Sequence, residues 1–193
     1  QDIIGAFGNS ELILCHVMGA ESDKDIKLLE NIYTYINKNY FVSCRIGVGL
    51  TVTDIGHYCD SFISAQAVFR YAQNRPDREK QIYYIDDFLA EHLVYEIPEH
   101  FFEHFFKNEL NYVKATPIAQ ETIGALVACN MDISMAAEAL FIHRNTMVFR
   151  LNQLKKQLNL NPFHKDNDRF KLILLYHYFT KKYNGNHSSG EMP

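Results

Sequence analysis

The order of elements along the chain predicts an α+β protein, a small sheet with helices packed on it, followed by an all-α domain. Three observations carry that expectation. Every β-prone run lies before residue 86, only helical spacing follows it, and a short helix meets a longer one across a tight turn near residue 142.

"QDIIGAF" and "SELILCHVM" are β-prone runs separated by Gly8-Asn9, as in a hairpin. "SDKDIKLLENIYTYINKNY" has Ile26, Leu29, Ile32, Tyr33 and Ile36 at helical spacing. "VSCRIGVGLT" is a short strand whose Gly47 and Gly49 imply close backbone packing or a bulge. "DIGHYCDSFISAQAVFRYAQ" predicts a helix with Tyr58, Phe62, Ala65, Val68, Phe69 and Ala72 inward, and "QIYYI" another strand. The resulting order, ββαβαβ, implies one sheet. Helices are then expected over "DDFLAEHLVYEI", "PEHFFEHFFKNELNYV" with Pro98 at its start, and "TPIAQETIGALVACN" with Thr116 as cap and Pro117 first. Ser134 is the expected cap of "MAAEALFI"; a helix over 144–158, a break at "NP" and the helix "KDNDRFKLILLYHYFTKKY" complete the pattern. The domains expected are 1–90 (α+β), 91–115 (linking helices), 116–183 (helix-turn-helix) and 184–193 (a polar, disordered tail).

The 193 residues, 47% hydrophobic, suffice for one or two cores. No apolar run approaches the ~20 residues of a membrane span, and no basic segment precedes an apolar stretch at the start. The chain opens directly in a strand-like pattern, as a piece beginning mid-domain would. Cys15, Cys44, Cys59 and Cys129 lack paired spacing, consistent with reduced thiols in the cytoplasm. The net charge of -4 conceals an asymmetry: residues 1–92 carry 13 acids against 8 Lys or Arg, residues 116–193 carry 6 against 9. Between 140 and 182 only Asp166 and Asp168 are acidic. A local basic excess suits a polyanion, although a solvated helix face is the commoner cause.

Placed at 100° intervals, Met147, Leu151, Leu154 and Leu158 make one narrow apolar stripe. Asn145, Phe149, Asn152 and Lys156 fall opposite, Thr146 and Gln153 flank them on one edge and Val148 on the other. Arg144, Arg150 and Lys155 stand nearer the core boundary. Amides can bond adenine in pairs, an aromatic ring can touch a thymine methyl group, and cations neutralise phosphate. The base-facing set is therefore Asn145, Thr146, Phe149 and Asn152. The phosphate set is His143, Arg144, Arg150, Lys155 and Lys156. An ordinary bundle helix remains the competing explanation; the short first helix, tight turn and absence of acids weigh against it.

"LFIHRNTMVFRLNQLKKQLNL" resembles the C-terminal helix-turn-helix signature of PucR/CdaR transcription regulators, close to Leu-x-Ile-His-Arg-Asn-Thr-Leu-x-Tyr-Arg-Leu. Leu140, Ile142, His143, Arg144, Asn145, Thr146, Arg150 and Leu151 match it directly, while Met147 replaces a leucine and Phe149 a tyrosine. The resemblance covers about residues 116–182. It implies a cytoplasmic, sequence-specific DNA-binding regulator, usually an activator of a catabolic operon. Such proteins respond to a small metabolite, such as a sugar diacid, through a sensor not contained in this sequence.

In that family a GGDEF-like, ferredoxin-like domain often comes first. "GNSEL", residues 8–12, stands where Gly-Gly-Asp-Glu-Phe would stand, and "RIGVGLTV" and "SFISAQAVFRYA" are similar to its glycine strand and Ser/Ala-rich helix. This resemblance implies a degenerate, N-terminally partial domain over about 1–85. Asn9 replaces a glycine and Ser10 an acid, leaving Glu11 alone where a cyclase needs clustered carboxylates for metal. No cofactor and no enzymatic activity are expected; a scaffold for dimerisation or signal transmission is.

"HFFEH", residues 100–104, matches the string of some zinc peptidases, but no third-ligand helix stands out and such short matches arise by chance. Phe101, Phe102, Phe105 and Phe106 span too wide an arc for one stripe, which points to burial on two sides and a homo-oligomer. The competing functions are an inactive protein-interaction module and, further off, a GGDEF-type nucleotide cyclase.

Overall fold

The computed structural model describes residues 2–8, 10–19, 22–72 and 80–184. The chain divides into two compact units, residues 1–87 and 88–193.

In the first unit β1 (Ile3–Phe7) and β2 (Glu11–Cys15) pair antiparallel, with Ile3 opposite Cys15 and Phe7 opposite Glu11. Gly8 takes φ +62°, a turn conformation that glycine adopts without penalty; Asn9 lies outside the described residues. Helix α1 (Ser22–Tyr40) follows, then β3 (Ile46–Val48), α2 (Tyr58–Ala72) and β4 (Ile82–Tyr84). The expected order ββαβαβ is present, but the expected single sheet is not. β3 and β4 pair parallel over three residues, Ile46 opposite Ile82 through Val48 opposite Tyr84, and the hairpin stands as a separate two-stranded sheet. The reason lies in the backbone ladders. Among the described residues the hairpin strands bond only each other, so no edge joins the two pairs.

The glycine strand packs as its composition requires. A Cβ on Gly47 would stand 2.5 Å from the Ala65 carbonyl oxygen, and one on Gly49 2.0 Å from that of Ser61. The Leu50 amide donates to Ser64 Oγ at 2.9 Å, and that hydroxyl donates to the Ser61 carbonyl at 2.8 Å. Of the expected inner face of α2, Val68 and Ala72 are buried and Phe62, Ala65 and Phe69 half-buried, while Tyr58 is exposed. Ser64, Ala67, Val68, Tyr71 and Ala72 are buried, and the missing side chain at Gly47 leaves room for the Phe69 ring. Phe62 meets Phe7 edge-on at 5.3 Å, and the Tyr58 hydroxyl accepts from Cys15 Sγ at 2.9 Å.

The second unit is all-α: α3 (Leu89–Glu96), α4 (Glu99–Phe105), α5 (Lys107–Ala115), α6 (Pro117–Ala128), α7 (Ile133–Ala139), α8 (Arg144–Leu158) and α9 (Asp166–Asn184). The helix expected over 98–113 is broken at Phe106, whose φ of -107° and ψ of 25° leave the helical region. That break separates the four phenylalanines. Phe102 and Phe106 enter the core, while Phe101 and Phe105 stay about half exposed and stack on each other at 5.6 Å. One hydrophobic core draws on all seven helices, with Val94, Phe102, Leu110, Leu126, Met147 and Leu175 at its centre. Phe102 stacks on Tyr178 of α9 at 4.7 Å. Beyond that stack the Lys182 ammonium bonds both Glu99 and Glu103, which holds the Glu99 carboxyl below its ordinary range and raises Lys182. His104 Nδ1 donates to the His100 carbonyl at 2.8 Å, and among the described residues no three His, Cys, Asp or Glu side chains gather as metal ligands. Of the expected tail, residues 185–193 lie outside the described residues.

Candidate nucleic-acid interface

Helix α7 begins where an acid satisfies its free amides. Asp132, not Ser134, is the cap: its carboxylate accepts from the Ser134 and Met135 amides at 2.8 and 2.9 Å. Ser134 is already the second residue of the helix, two past the cap. Ala136 and Ala137 are buried, which lets α8 cross closely. The helix ends at Ala139, earlier than the expected Ile142, so the turn comprises residues 140–143 rather than Ile142-His143 alone. Its closure is of the Schellman kind. Phe141 adopts the left-handed conformation (φ +54°), and the Ile142 amide reaches back to the Ala137 carbonyl at 3.0 Å.

His143 then caps α8. Its Nδ1 accepts from the Asn145 amide at 3.2 Å, and its carbonyl accepts from the Thr146 and Met147 amides. An accepting Nδ1 puts the ring proton on Nε2, on an exposed side chain where it is a donor to the outside. The Asn145 amide is therefore engaged within the cap. Asn159, in the left-handed conformation, ends the helix.

Between these ends the two faces of α8 separate cleanly. Met147, Leu151, Leu154 and Leu158 are all buried against the unit's core. Asn145, Thr146, Phe149, Asn152, Gln153 and Lys156 are exposed, as are His143 and Arg144 at the start. Phe149 is 61% exposed, so its ring contributes nothing to the core. Two of the nine singled-out residues behave differently. Lys155 is half-buried with its ammonium 5.3 Å from the Phe163 ring centroid. Arg150 is half-buried, its Nη1 enclosed and 3.7 Å from Glu121 Oε2 of α6. For Arg150 to meet phosphate its guanidinium must swing outward from that acid.

The result is an acid-free helix surface of two asparagines, a glutamine, a threonine, an aromatic ring and cations, standing on a fully used apolar stripe. It offers paired hydrogen bonds to base edges and positive charge to a backbone. Spacing along the sequence had missed three features of this site: the Asp132 cap, the Arg150–Glu121 pairing and the outward Phe141, which is 97% exposed. Asp132 was legible, since it stands one residue before the helix; the other two depend on tertiary placement.

Comparison with known protein families adds an independent observation. Residues 120–177 match the family model described as the PucR C-terminal helix-turn-helix domain. The matched segment spans most of α6, all of α7 and α8, and much of α9, a little under a third of the chain. It supports a regulator of transcription that binds DNA. No curated protein and no solved structure matches the chain.

Proposed function

We propose that this chain is the DNA-reading part of a sequence-specific transcription regulator, with α8 lying in the major groove. The single observation that carries the reading is the exposed, acid-free face of α8 inside a segment matching a helix-turn-helix family. Asn145, Thr146, Phe149 and Asn152 face base edges; His143, Arg144 and Lys156 approach phosphates from the open surface. Lys155 and Arg150 join them from the flank, Arg150 after leaving Glu121. The described residues include no helix long and apolar enough to cross a membrane.

The finer reading follows the family resemblance. The regulator is a cytoplasmic activator of a catabolic operon, answering to a small metabolite such as a sugar diacid through a sensor outside this sequence. It works as a homo-oligomer, for which the stacked, half-exposed Phe101 and Phe105 are a fitting contact. The first unit is a degenerate GGDEF-like scaffold without cyclase activity. Glu11 is the only acid of its turn, and Gln66 of α2 donates to it at 3.4 Å. Incubation of the pure protein with GTP and magnesium is expected to yield no cyclic dinucleotide; detectable product removes that part of the proposal.

The test of the main reading is selection from random duplex DNA, performed with the whole chain at two salt concentrations. A recurrent site is expected, with affinity that falls steeply as salt rises. Selection that enriches nothing at either concentration leaves α8 as a bundle helix, and the chain as a protein-interaction module.

A further inference from the structure

Phe141 occupies the residue position just past α7 where glycine serves a helix end best, since the left-handed region strains any side chain. Its ring is 97% exposed, whereas its neighbours Leu140 and Ile142 are half-buried. Folding therefore gains nothing from this side chain and tolerates a strained backbone to present it. Strained, outward residues of this kind point to a contact outside the chain.

What that contact is follows from the place. When the second helix of such a pair lies in the major groove, the first crosses the sugar-phosphate backbone. The turn between them then sits at the lip of the groove, where the backbone runs. Phe141 stands two residues before His143 and three before Arg144, both exposed polar groups suited to phosphate. Between successive phosphates the backbone presents the apolar face of a deoxyribose. We infer that Phe141 packs its ring on a deoxyribose at the edge of the groove, a DNA contact additional to the base- and phosphate-facing sets. The inference rests on the proposed reading of α8.

The experiment compares the whole chain with Phe141→Gly and Phe141→Ala, on the selected site and on an unrelated duplex, at several salt concentrations. Losing about half the apolar burial of a ring predicts roughly tenfold weaker binding. Both variants are expected to lose this affinity to the same extent, and on both duplexes, because a sugar carries no base identity. The salt slope is expected to stay unchanged, because no charge is removed. Phe141→Gly is further expected to melt at a higher temperature than the parent. A structural role for the ring would move melting temperature and affinity down together. Variants that bind as tightly as the parent overturn the inference and leave the reading of α8 intact. A loss confined to the selected site assigns the ring to a base and overturns it too, as does an altered oligomeric state at unchanged affinity. A parent chain that binds no duplex defeats both.

Discussion

Asn145 and Lys156 share one exposed helix face, yet the physics of their contacts differs, and binding titrations separate the two. Asn145→Ala is expected to cost roughly 1–3 kcal/mol on the selected site and little on an unrelated duplex, since it removes a paired bond to one base. Lys156→Gln is expected to weaken both duplexes alike and to lower the salt slope by about one, since it removes one released counterion. His143 combines two duties in one ring, with Nδ1 turned to its own helix and Nε2 outward. His143→Asn supplies a side-chain oxygen in place of the accepting Nδ1, whereas His143→Ala leaves no acceptor. Thermal unfolding is therefore expected to show a loss of about 1 kcal/mol for alanine and less for asparagine.

Caps and close approaches determine whether the helices of the site, and the strand–helix pair of the first unit, hold together. Asp132 satisfies two amides of a helix only seven residues long, too short to persist by its own hydrogen bonds. Asp132→Ala is expected to lower the stability of the second unit by about 1 kcal/mol, read as a lower melting temperature. In the first unit the β3–α2 contact depends on the absence of a side chain. Gly49→Ala places a carbon 2.0 Å from a backbone oxygen that cannot rotate away. Helix α2 must retreat, which also parts Ser64 from the Leu50 amide. Amide hydrogen exchange in 46–50 and 61–72 is expected to speed up markedly, while exchange across α7 and α8 stays as before. Unchanged protection in α2 would show that the strand, not the helix, absorbs the overlap.

Charge and protonation give the two units opposite responses to pH. In the first, His16 donates to Asp2 through Nδ1 and to Asp25 through Nε2, each at 3.0 Å, which only the imidazolium can do at once. Bonds to Asp25 and Asp2 raise the histidine above its ordinary 6.5. Its stabilisation is thus complete below that value and is lost as pH rises through the folded one. In the second, Lys182 lowers the Glu99 carboxyl below its ordinary 4.5. That contribution is present above 4.5 and disappears as pH falls through the lower folded value. Hydrogen exchange resolved by unit is expected to show β1, β2 and the start of α1 loosening as pH rises above 6.5. The α4–α9 contact is expected to loosen only in acid, and Lys182→Met to abolish that acid response. The uneven charge along the chain acts in the same direction as the proposed function. The basic excess of 116–193 suits the polyanion that the proposed function requires.

Neighbours along the chain already specify much of this molecule. The order ββαβαβ, the span 144–158 and its buried stripe at spacings of 4, 3 and 4 are legible because helical and strand periodicities repeat within a few residues. The exposed face of α8 follows from the same arithmetic, and the close packing at Gly47 and Gly49 from the residue type itself. Other features required the folded chain. Which strand edges meet, why Ser64, Ala67 and Tyr71 of α2 are buried, where Phe106 breaks a helix and why Glu121 faces Arg150 are set by groups remote in sequence. Phe141 belongs to this second class: its letter reads as apolar and inward, and the left-handed turn after α7 sends it into solvent. Periodicity reports which side of an element is apolar, but the partner that side meets, and the residues left over once it is met, depend on packing across the whole unit.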